Sequence, residues 1–592
     1  ETVTRARAFS QRPAPNVYAA FREQSAALYT LLNGRIDEAR SDENRTRLQL
    51  SALAMTLAAL ALVGSALAIF ALRRERQQWQ LAHAAAEDAR AKAAASDVAK
   101  TRFLAVASHD MRQPLHALTL YLTALERRVE TPEARDIVAM LAELPDLWDV
   151  HAGPWSFDSA PSRFAAEGFQ EPFVDWVKKV TTKPVVGVGR FTSPDAMASL
   201  IKRGIADFIG CARPSIADPF LPNKIAEGRE DDIRECIGCN ICVTGDNTIT
   251  PMRCTQNPTM GEEWRKGWHP ERARPKGASA TVLIVGAGPA GLEAALQAAK
   301  RGYHVTLAEA TATLGGRVAR ERQLPGLSAW GRVADFRTGQ LAPMPNAEIY
   351  RDSRLTADDV LAMGAEHVAI ATGASWRRDA VARFHLHPSP TDRAMPVFSP
   401  DDIMAGGGPQ GGRVVLYDDD HFYMGSVIAE VLVARGCAVD FITPAAKVAE
   451  WSENTLEQAI IMRRLLDLRI NIHTGKAPVG IGNTEVTLAC VWTAAETDLP
   501  TDAVVMVTSR TPHDALYQDL RARQPAWVDA GILSVKLIGD AAAPGPIAWA
   551  TYAGRRFAEE IDMIDDAGDT PSFRREVAAL EPLPFAAAAR SG

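Results

Sequence analysis

The sequence predicts an α/β protein with parallel sheets, preceded by a membrane-spanning helix and a long helical segment. From Asp146 onward, short apolar runs alternate with helical stretches, the order of elements that builds parallel sheets. Before that point the chain carries one long uncharged run and then a stretch of regular apolar spacing. The N-terminal part is therefore expected to be of a different kind from the rest.

Composition and charge are those of an ordinary globular protein. The 592 residues are 47% hydrophobic and 23% charged, with a formal net charge of −7, and this length predicts roughly four domains. Lys and Arg do not cluster in the excess that binding to a phosphate backbone requires, which argues against a nucleic-acid partner. Cys211, Cys437 and Cys490 stand apart in apolar segments, which predicts reduced, buried thiols in the cytosol.

Residues 50–72, LSALAMTLAALALVGSALAIFAL, carry no charge. A helix of this length can cross a hydrocarbon core of about 30 Å, although a buried helix rich in Ala and Leu is the alternative. Arg73, Arg74 and Arg76 follow directly and place what comes after them in the cytoplasm, with residues 1–49 outside. We expect a single-pass inner-membrane protein whose C-terminal, enzymatic part is cytoplasmic.

The next segment, residues 73–145, has the composition of a long helix, rich in Ala, Glu, Arg and Leu. Its apolar residues follow seven-, four- and three-residue steps, a seam that pairs helices and predicts a homodimeric bundle. The seam consists of Leu104, Met111, Leu115, Leu118, Leu122, Leu125 and Val129. Pro114 should kink this helix.

Four cysteines, Cys236, Cys239, Cys242 and Cys254, follow the pattern C-x2-C-x2-C-x11-C. Four thiolates can hold either zinc or an iron–sulfur cluster, and structural zinc sites usually divide their ligands into two separate pairs. The grouping of three ligands plus one favours a [4Fe–4S] cluster. Zinc and unligated thiols remain the alternatives.

The segment VLIVGAGPAGLEAALQAAKRGYHVTLAEA predicts a nucleotide site. Gly286, Gly288 and Gly291 open a helix after an apolar strand, and Glu309 follows the next strand, where it can bind ribose hydroxyls. ATG at residues 371–373 and IGDAAAP at residues 538–544, which contains Gly539 and Asp540, add to the pattern. It predicts ADP or FAD. The alternative is a glycine-rich turn used only for packing.

A second unit of this type begins at RVVLYDDDHFYMG, but it lacks the glycines. Asp418, Asp419 and Asp420 stand where a phosphate would lie. Three carboxylates repel an anion at a place where backbone N–H groups should attract it. We therefore expect a degenerate site that does not bind NAD(P)H.

Residues 147–580 resemble the C-terminal two thirds of the trimethylamine/dimethylamine dehydrogenase branch of the old-yellow-enzyme (NADH:flavin oxidoreductase) family. The motifs that carry the resemblance are LWDVHAGPWSFD, KPVVGVGRFTSPD, IGCARPSIADPFLP, DIRECIGCNIC and CTQNPTMGEEWRKGWHPE. It implies an FMN in a (βα)8 barrel that is reduced by a small amine. Electrons then pass through the [4Fe–4S] cluster to an electron-transferring flavoprotein, and a bound ADP occupies the place where relatives keep FAD.

The resemblance also implies roles for single residues. The four cysteines named above become the cluster ligands. Gly189, Arg190 and Arg213 match residues that hold the FMN phosphate, in agreement with the phosphate site near the last strands of such barrels. Asp158 matches a carboxylate of the catalytic group, and Trp155 matches one wall of an aromatic bowl that holds the ammonium by cation–π attraction.

The match departs from the family in one large respect. It begins at the sixth barrel strand, and three parallel strands cannot close a barrel. The catalytic Tyr and His and the flavin-linking cysteine of the family have no counterpart. The loop that contains Asp246 is one residue shorter here, so the resemblance leaves the identity of the amine open.

The segment TRFLAVASHDMRQPLHALTLYL resembles the dimerisation and phosphoacceptor region of bacterial sensor histidine kinases. His109 lies off the apolar seam, where a phosphoryl donor could reach it, and Asp110 beside it could orient the ring. The ATP-binding half of such a kinase has no counterpart in the sequence. Plain solvent exposure of His109 is the alternative.

The leading prediction is an iron–sulfur flavoprotein oxidoreductase acting on CH–NH donors. The alternatives are a membrane-bound histidine kinase component with an appended redox module, or a chimeric chain with neither activity complete. The expected domains are an extracytoplasmic segment (1–49), a transmembrane helix (50–72), dimerisation and phosphoacceptor helices (73–145), the end of a flavin-binding barrel (146–230), a cluster loop (231–275), a Rossmann-like FAD- or ADP-binding domain (276–400 and 500–570) and a degenerate dinucleotide-binding domain (401–499).

Overall fold

The computed structural model describes Ala26, residues 132–277 and residues 279–562. The chain divides into two compact units, residues 1–118 and 119–592, and every described residue except Ala26 belongs to the second. The predicted membrane span, the apolar seam and His109 all lie outside the described residues. Within the described ranges, no helix is both long and apolar enough to span a bilayer.

The second unit begins with a parallel sheet of three strands in the order β1-β2-β3. Apolar residues of the strands and helices, Val174, Val185 and Leu200 among them, form its core. The described part of the predicted barrel segment therefore contains three parallel strands. Its elements are α1 (Pro132–Leu141), β1 (Trp148–Val150), α2 (Trp155–Asp158), α3 (Glu171–Val180), β2 (Val185–Gly187), α4 (Pro194–Lys202), β3 (Phe208–Ile209), α5 (Ala212–Ala217) and α6 (Leu221–Ala226).

The cysteine loop follows, with α7 (Ile241–Thr248) and α8 (Glu263–Lys266). The connector after it is anchored to the end of the last described helix. Asp562 accepts hydrogen bonds from Arg274, Arg301 and the backbone N–H of Gly277. These contacts fix the start of the nucleotide-binding sheet against the C-terminal end of the described chain.

A parallel sheet of five strands, ordered β18-β7-β4-β5-β6, carries the glycine motif on its central strand. The sequence prediction of a Rossmann-like α/β domain is confirmed. Its first elements are β4 (Thr281–Val285), α9 (Pro289–Lys300), β5 (His304–Ala308), α10 (Arg317–Glu321), α11 (Arg332–Leu341), β6 (Ala347–Tyr350), α12 (Ala357–Met363), β7 (His367–Ile370) and β8 (Ala374–Trp376).

A second parallel sheet, ordered β12-β11-β10-β16-β9, lies between the two parts of the first in sequence, with an antiparallel sheet β13-β14-β15 beside it. Its elements are β9 (Val397–Phe398), α13 (Pro400–Met404), β10 (Arg413–Asp418), α14 (Tyr423–Ala434), β11 (Ala438–Thr443), α15 (Gln458–Asp467), β12 (Asn471–Thr474), β13 (Lys476–Ile481), β14 (Glu485–Cys490), β15 (Glu496–Pro500) and β16 (Ala503–Val507).

The chain then returns to the first sheet. The returning elements are β17 (Arg510–Pro512), α16 (Ala515–Ala522), α17 (Ala526–Asp529), β18 (Ser534–Leu537) and α18 (Ile547–Glu560). Strand β17 pairs with β8.

Of the three isolated cysteines, only Cys437 is buried, whereas Cys211 and Cys490 are partly exposed. The prediction of buried thiols is wrong for Cys211 and Cys490. Cys211 directly precedes the short helix α5, and Cys490 is the last residue of strand β14. All seven cysteines are free thiols.

Helices α9 and α18 cross at glycine. A Cβ atom added to Gly554 would lie 2.1 Å from the carbonyl oxygen of Ala290. Ala290 belongs to the first turn of α9 and lies within the glycine motif, directly before Gly291. The crossing therefore holds the nucleotide turn in place by backbone contact.

We expect Gly554→Ala to destabilise this domain by several kcal/mol, because a backbone carbonyl cannot move aside as a flexible side chain can. Gly339→Ala is the matched control: it also lies inside a helix, and its added Cβ would meet no described atom within 4 Å, so it should be neutral or gain about 0.5–1 kcal/mol. Urea unfolding followed by circular dichroism measures both. Equal midpoints for the two variants would contradict the expected backbone clash.

Candidate functional site

The glycine motif forms a turn that has no room for side chains at Gly286 and Gly291. Gly286 has φ +104°, and a Cβ there would lie 2.5 Å from the carbonyl oxygen of Ala371, the first residue of the ATG segment. A Cβ at Gly291 would lie 1.8 Å from the carbonyl oxygen of Gly286. Gly288 faces open space, with no described atom within 4 Å of its added Cβ. The turn leaves room at Gly288 for a pyrophosphate at the start of α9.

A cavity of about 900 Å³ lies over this turn, lined by Gly288, Glu309 and Asp540 among others. Glu309 is held by the backbone, since its carboxylate accepts from the N–H groups of Ala287 and Thr311 at 2.8 and 2.9 Å. A carboxylate has about four lone-pair positions, so Glu309 keeps the capacity to accept from a ribose hydroxyl. The cavity and Glu309 suit an adenosine diphosphate group.

Asp540 lies between two arginines at one end of this cavity. Arg317 and Arg510 both donate to its Oδ2 atom, at 3.0 and 2.6 Å, and both donate to the carbonyl oxygen of Gly545 at 2.8 Å. The carboxyl groups of Glu321 and Asp540 raise the pKa of Arg317 well above its usual value, against the opposing effect of burial. A second, smaller cavity of about 240 Å³ lies beyond the two arginines.

The four predicted cluster cysteines share one loop region. Burial, more than the neighbouring thiolates, raises the pKa of Cys239 to about 12 and that of Cys254 to about 11. The same causes raise the pKa of Cys242. Thiolates at these positions therefore need a positively charged centre, which fits iron or another metal.

The cysteines do not converge as ligands of one ion. In the described part of the chain, no group of three or more His, Cys, Asp or Glu side chains is placed to hold a single metal ion. A tetrahedral zinc site would need all four sulfurs about 2.3 Å from one point. In a four-iron cluster each cysteine binds a different iron, so the sulfurs stand farther apart.

The first predicted FMN-phosphate residues, Gly189 and Arg190, follow strand β2. Both have positive φ, +152° and +62°, and Arg190 donates from Nε to the carbonyl oxygen of Ala165. Its Nη1 atom is buried and has no hydrogen-bond partner among the described residues. Burial lowers the pKa of Arg190. A buried guanidinium with a free donor is expected beside an anion.

Arg190 also touches the cluster loop. A Cβ added to Gly238, which lies between Cys236 and Cys239, would be 2.7 Å from Arg190 Nη1. The backbone of Ser162 donates to the carbonyl oxygen of the same glycine at 2.9 Å. The guanidinium thus borders the loop that bears the cysteines, and its unpaired Nη1 atom lies on that side.

The third phosphate residue, Arg213, is engaged by protein atoms. Its Nη1 donates to the carbonyl oxygens of Ser159 and Ala160, at 3.1 and 3.2 Å, and to Asn240 Oδ1 at 2.5 Å. Asn240 is one of the cluster-loop residues, fully buried and left-handed at φ +55°. Arg213 therefore holds the cluster loop against the chain that follows β1.

Asp158 and Trp155 lie on the short helix α2. Gln170 fixes Asp158, because its Nε2 donates to Asp158 Oδ1 at 2.9 Å while its Oε1 accepts from the N–H of Ala152 at 2.6 Å. Trp155 is 39% exposed. The ring is therefore open to solvent at the end of β1, where the substrate side was predicted.

The acidic run in the second sheet is buried at the end of β10. Asp418 and Asp419 are fully buried, and a Cβ added to Gly425 in the first turn of α14 would lie 2.7 Å from Asp418 Cγ. The carboxyl group thus packs against the first turn of α14, at the end of β10 where the sequence predicted a degenerate phosphate position. Burial raises the pKa of Asp418 to about 7.

We expect Asp418→Asn to stabilise the protein at alkaline but not at acidic pH. Between about pH 4 and pH 7 the folded protein retains a proton on Asp418 that the unfolded chain has lost, so stability falls as pH rises through this interval. The variant lacks that loss and should gain roughly 2–4 kcal/mol at pH 8 and nothing at pH 4. Unfolding midpoints across pH measure the difference, with the exposed Asp467→Asn as control. A gain that does not change with pH would contradict the assigned cause.

Four family descriptions match the chain. "NADH:flavin oxidoreductase / NADH oxidase family" covers residues 123–232, "NAD(P)-binding Rossmann-like domain" residues 284–350 and "OYE-like second alpha/beta domain" residues 398–500. "His Kinase A (phospho-acceptor) domain" covers residues 99–143, most of which lie outside the described residues. The C-terminal part of the chain is therefore similar to flavin-dependent oxidoreductases of the old-yellow-enzyme type.

Within that family this part is similar to amine dehydrogenases. Dimethylamine dehydrogenase of Hyphomicrobium sp. (strain x) is 39% identical over 477 residues, 75% of this chain and 64% of that protein. The structure of histamine dehydrogenase from Rhizobium sp. 4-9 matches with 60% identity and a TM-score of 0.74, over 76% of this chain and 66% of the other. An amine oxidase for 6-hydroxypseudooxynicotine from Pseudomonas geniculata N1 is 50% identical, with a TM-score of 0.70, over 73% and 64%. The chain spans about two thirds of the length of these relatives.

Sequence reasoning did not find Asn240, Arg317 or Arg510. Asn240 stands between two cysteines, and this position was its only sequence signal. The two arginines lie far apart in the chain and meet only at Asp540. Each of the three acts through a contact between distant segments.

Proposed function

We propose that the C-terminal part of the chain is the electron-transfer portion of an iron–sulfur flavoprotein oxidoreductase of the amine dehydrogenase type. The observation that carries the proposal is the packing of Arg190 on Gly238. A single guanidinium borders the predicted phosphate position of the flavin and the loop that bears the cluster cysteines. Two redox groups held there would be neighbours.

When bound, FMN would accept an electron pair from the amine and the cluster would pass single electrons to an external acceptor. The residues of the chain fit both groups. Arg190 offers a buried, unpaired donor to a phosphate, and the four thiols of the cysteine loop, of which Cys242 is buried and the others are partly exposed, offer charge to iron. Arg213 fixes the cluster loop through Asn240.

The substrate side is proposed at Asp158 and Trp155. Gln170 holds the Asp158 carboxylate in one orientation, where it can attract a cationic amine or hold its proton. The indole ring of Trp155 offers a face to a substituted ammonium group. We propose a small amine as substrate, because dimethylamine and histamine dehydrogenases are among the relatives.

We propose ADP, and not FAD, for the cavity at Gly288. The ADP half of either molecule suits the turn and Glu309. The remaining half of FAD would extend beyond the pyrophosphate toward Asp540, where Arg317 and Arg510 already occupy the carboxylate and the carbonyl group of Gly545. Breaking these buried charge-assisted contacts would cost several kcal/mol.

The expected partners and location rest on the sequence. We propose an electron acceptor similar to an electron-transferring flavoprotein, a homodimer formed through the apolar seam, and attachment to the inner membrane by residues 50–72. The described residues do not include the last two features.

Anaerobic reconstitution of the full chain should yield about four irons and four sulfides per chain, and denaturation should release ADP without FAD. Cys239→Ser should lose the iron, whereas Cys437→Ser, a buried thiol far along the chain, should retain it. Iron and sulfide analysis, electron paramagnetic resonance after reduction with dithionite, and mass spectrometry of the released nucleotide measure these outcomes. Stoichiometric zinc, an iron-free protein or released FAD would each overturn the corresponding cofactor assignment.

A phosphorelay function is the second candidate, favoured by the match of the phosphoacceptor domain to residues 99–143. His109 would be the acceptor, and a separate kinase catalytic domain would supply the phosphoryl group. The redox module would then be an appended part of a membrane-bound sensor.

Incubation with such a catalytic domain and labelled ATP should place acid-labile label on the wild-type chain and none on His109→Ala. His116→Ala, seven residues farther along the sequence, is the control and should keep the label. Label that persists in His109→Ala, or a wild-type chain without label, would rule out this role for His109.

A further inference from the structure

The side chain of Thr255 forms a hydrogen bond to a sulfur of the cysteine loop. Its Oγ1 atom lies 3.1 Å from the Sγ atom of Cys239, and the residue is 2% exposed. Within the described ranges this hydroxyl has no other hydrogen-bond partner. A buried hydroxyl is expected to pair with a protein atom that it can reach. The sulfur of Cys239 is therefore the partner that satisfies Thr255.

Iron binding by Cys239 would decide which of the two side chains donates. While Cys239 is a free thiol, either the thiol or the hydroxyl can be the donor. A cysteine that binds iron does so as a thiolate, which carries no proton. In that state only Thr255 can donate, and the sulfur accepts a hydrogen bond from a neutral hydroxyl group.

The main chain also contacts the sulfurs of the loop. The N–H group of Gly238 donates to Cys236 Sγ at 3.3 Å. In the part of the chain that the structure describes, Thr255 is the only side chain with a hydrogen bond to one of the four predicted cluster sulfurs. It is therefore the contact of this kind that a substitution can remove without any change to the main chain.

Helix α18 of the nucleotide-binding domain holds Thr255 in place. Thr551 of this helix is fully buried, and its Oγ1 donates to the backbone carbonyl oxygen of Thr255 at 3.2 Å. Thr255 is β-branched, so few rotamers are open to it once its backbone is fixed. The protein itself therefore sets the direction in which the hydroxyl points.

We propose that the Thr255 hydroxyl raises the reduction potential of the iron–sulfur cluster through its hydrogen bond to Cys239. The cluster takes one electron from the reduced flavin and later passes it to the external acceptor, and no covalent bond forms or breaks. Part of the added negative charge lies on the sulfur ligands, where a hydrogen-bond donor stabilises it. The inference rests on the proposed function, because it requires that the four cysteines bind iron.

The test measures the midpoint potential of the cluster in the reconstituted full chain, by dithionite titration followed with electron paramagnetic resonance. Thr255→Val keeps the shape but lacks the donor, so reduction should become about tenfold less favourable, a fall of about 59 mV for one electron. Thr255→Ser keeps the hydroxyl and should stay within about twofold of the wild type. Thr244→Val is the matched control, because this buried hydroxyl in the same loop donates to the carbonyl oxygen of Ile241 and not to a sulfur.

An unchanged potential in Thr255→Val, or an equal fall in Thr244→Val, would overturn the proposal. If Thr255→Val does not assemble a cluster, Thr255→Ala should show the same fall in potential. Loss of the cluster in both variants would also overturn the proposal, because the hydroxyl would then serve assembly, and circular dichroism verifies that each variant is folded. A wild-type chain without iron would remove the redox function together with this inference, whereas a cluster with an unshifted potential would remove the inference alone.

Discussion

The buried side chain of Asn240 is the contact on which the arrangement of the candidate redox site depends. It donates to the carbonyl oxygens of Ser159 and Thr455, at 2.6 and 3.0 Å, and accepts from Arg213. One amide group thus joins the cysteine loop, the barrel strands and the second α/β domain. A buried amide is costly unless all its polar atoms are paired. All hydrogen bonds of the Asn240 amide can therefore form only when these three parts of the chain hold one particular relative position.

Two buried arginines strengthen the same arrangement. Arg163 reaches from the barrel part to the second domain, where it donates to Ser426 at 2.9 Å and forms an ion pair with Glu430 at 2.6 Å. Arg337 is fully buried and forms an ion pair with Glu293 of α9 at 2.7 Å. It also donates to Gln256, which lies two residues after Cys254, the last cysteine of the loop. Removal of either partner would leave an uncompensated charge in the interior. Arg337 thus joins the cysteine loop to the nucleotide-binding domain, and Arg163 joins the barrel part to the second α/β domain.

The sequence predicted the parts of this molecule that depend on local chain geometry. The glycine motif identified the nucleotide turn, since a turn with positive φ and no space for Cβ atoms admits no other residue at Gly286. The cysteine spacing identified the loop that gathers the thiols. The three strands before it were also predicted, and the family matches support the oxidoreductase class. The contacts of Asn240, Arg317 and Arg510 could not be predicted, because a side chain gives no sign of a partner that lies tens or hundreds of residues away. The exposure of Cys490 was missed for a related reason: apolar neighbours in sequence do not show that the residue ends its strand.

The crossing of α9 and α18 has a consequence for how such chains can diverge. At Gly291 and Gly554 the obstacle to a side chain is the main chain itself, so no compensating mutation nearby can make room. Core side chains elsewhere can be exchanged as long as total volume is kept. The two glycines are therefore expected to stay unchanged while other residues of the domain are substituted. A search for distant relatives, or a redesign of the ligand pocket, can treat both positions as invariant.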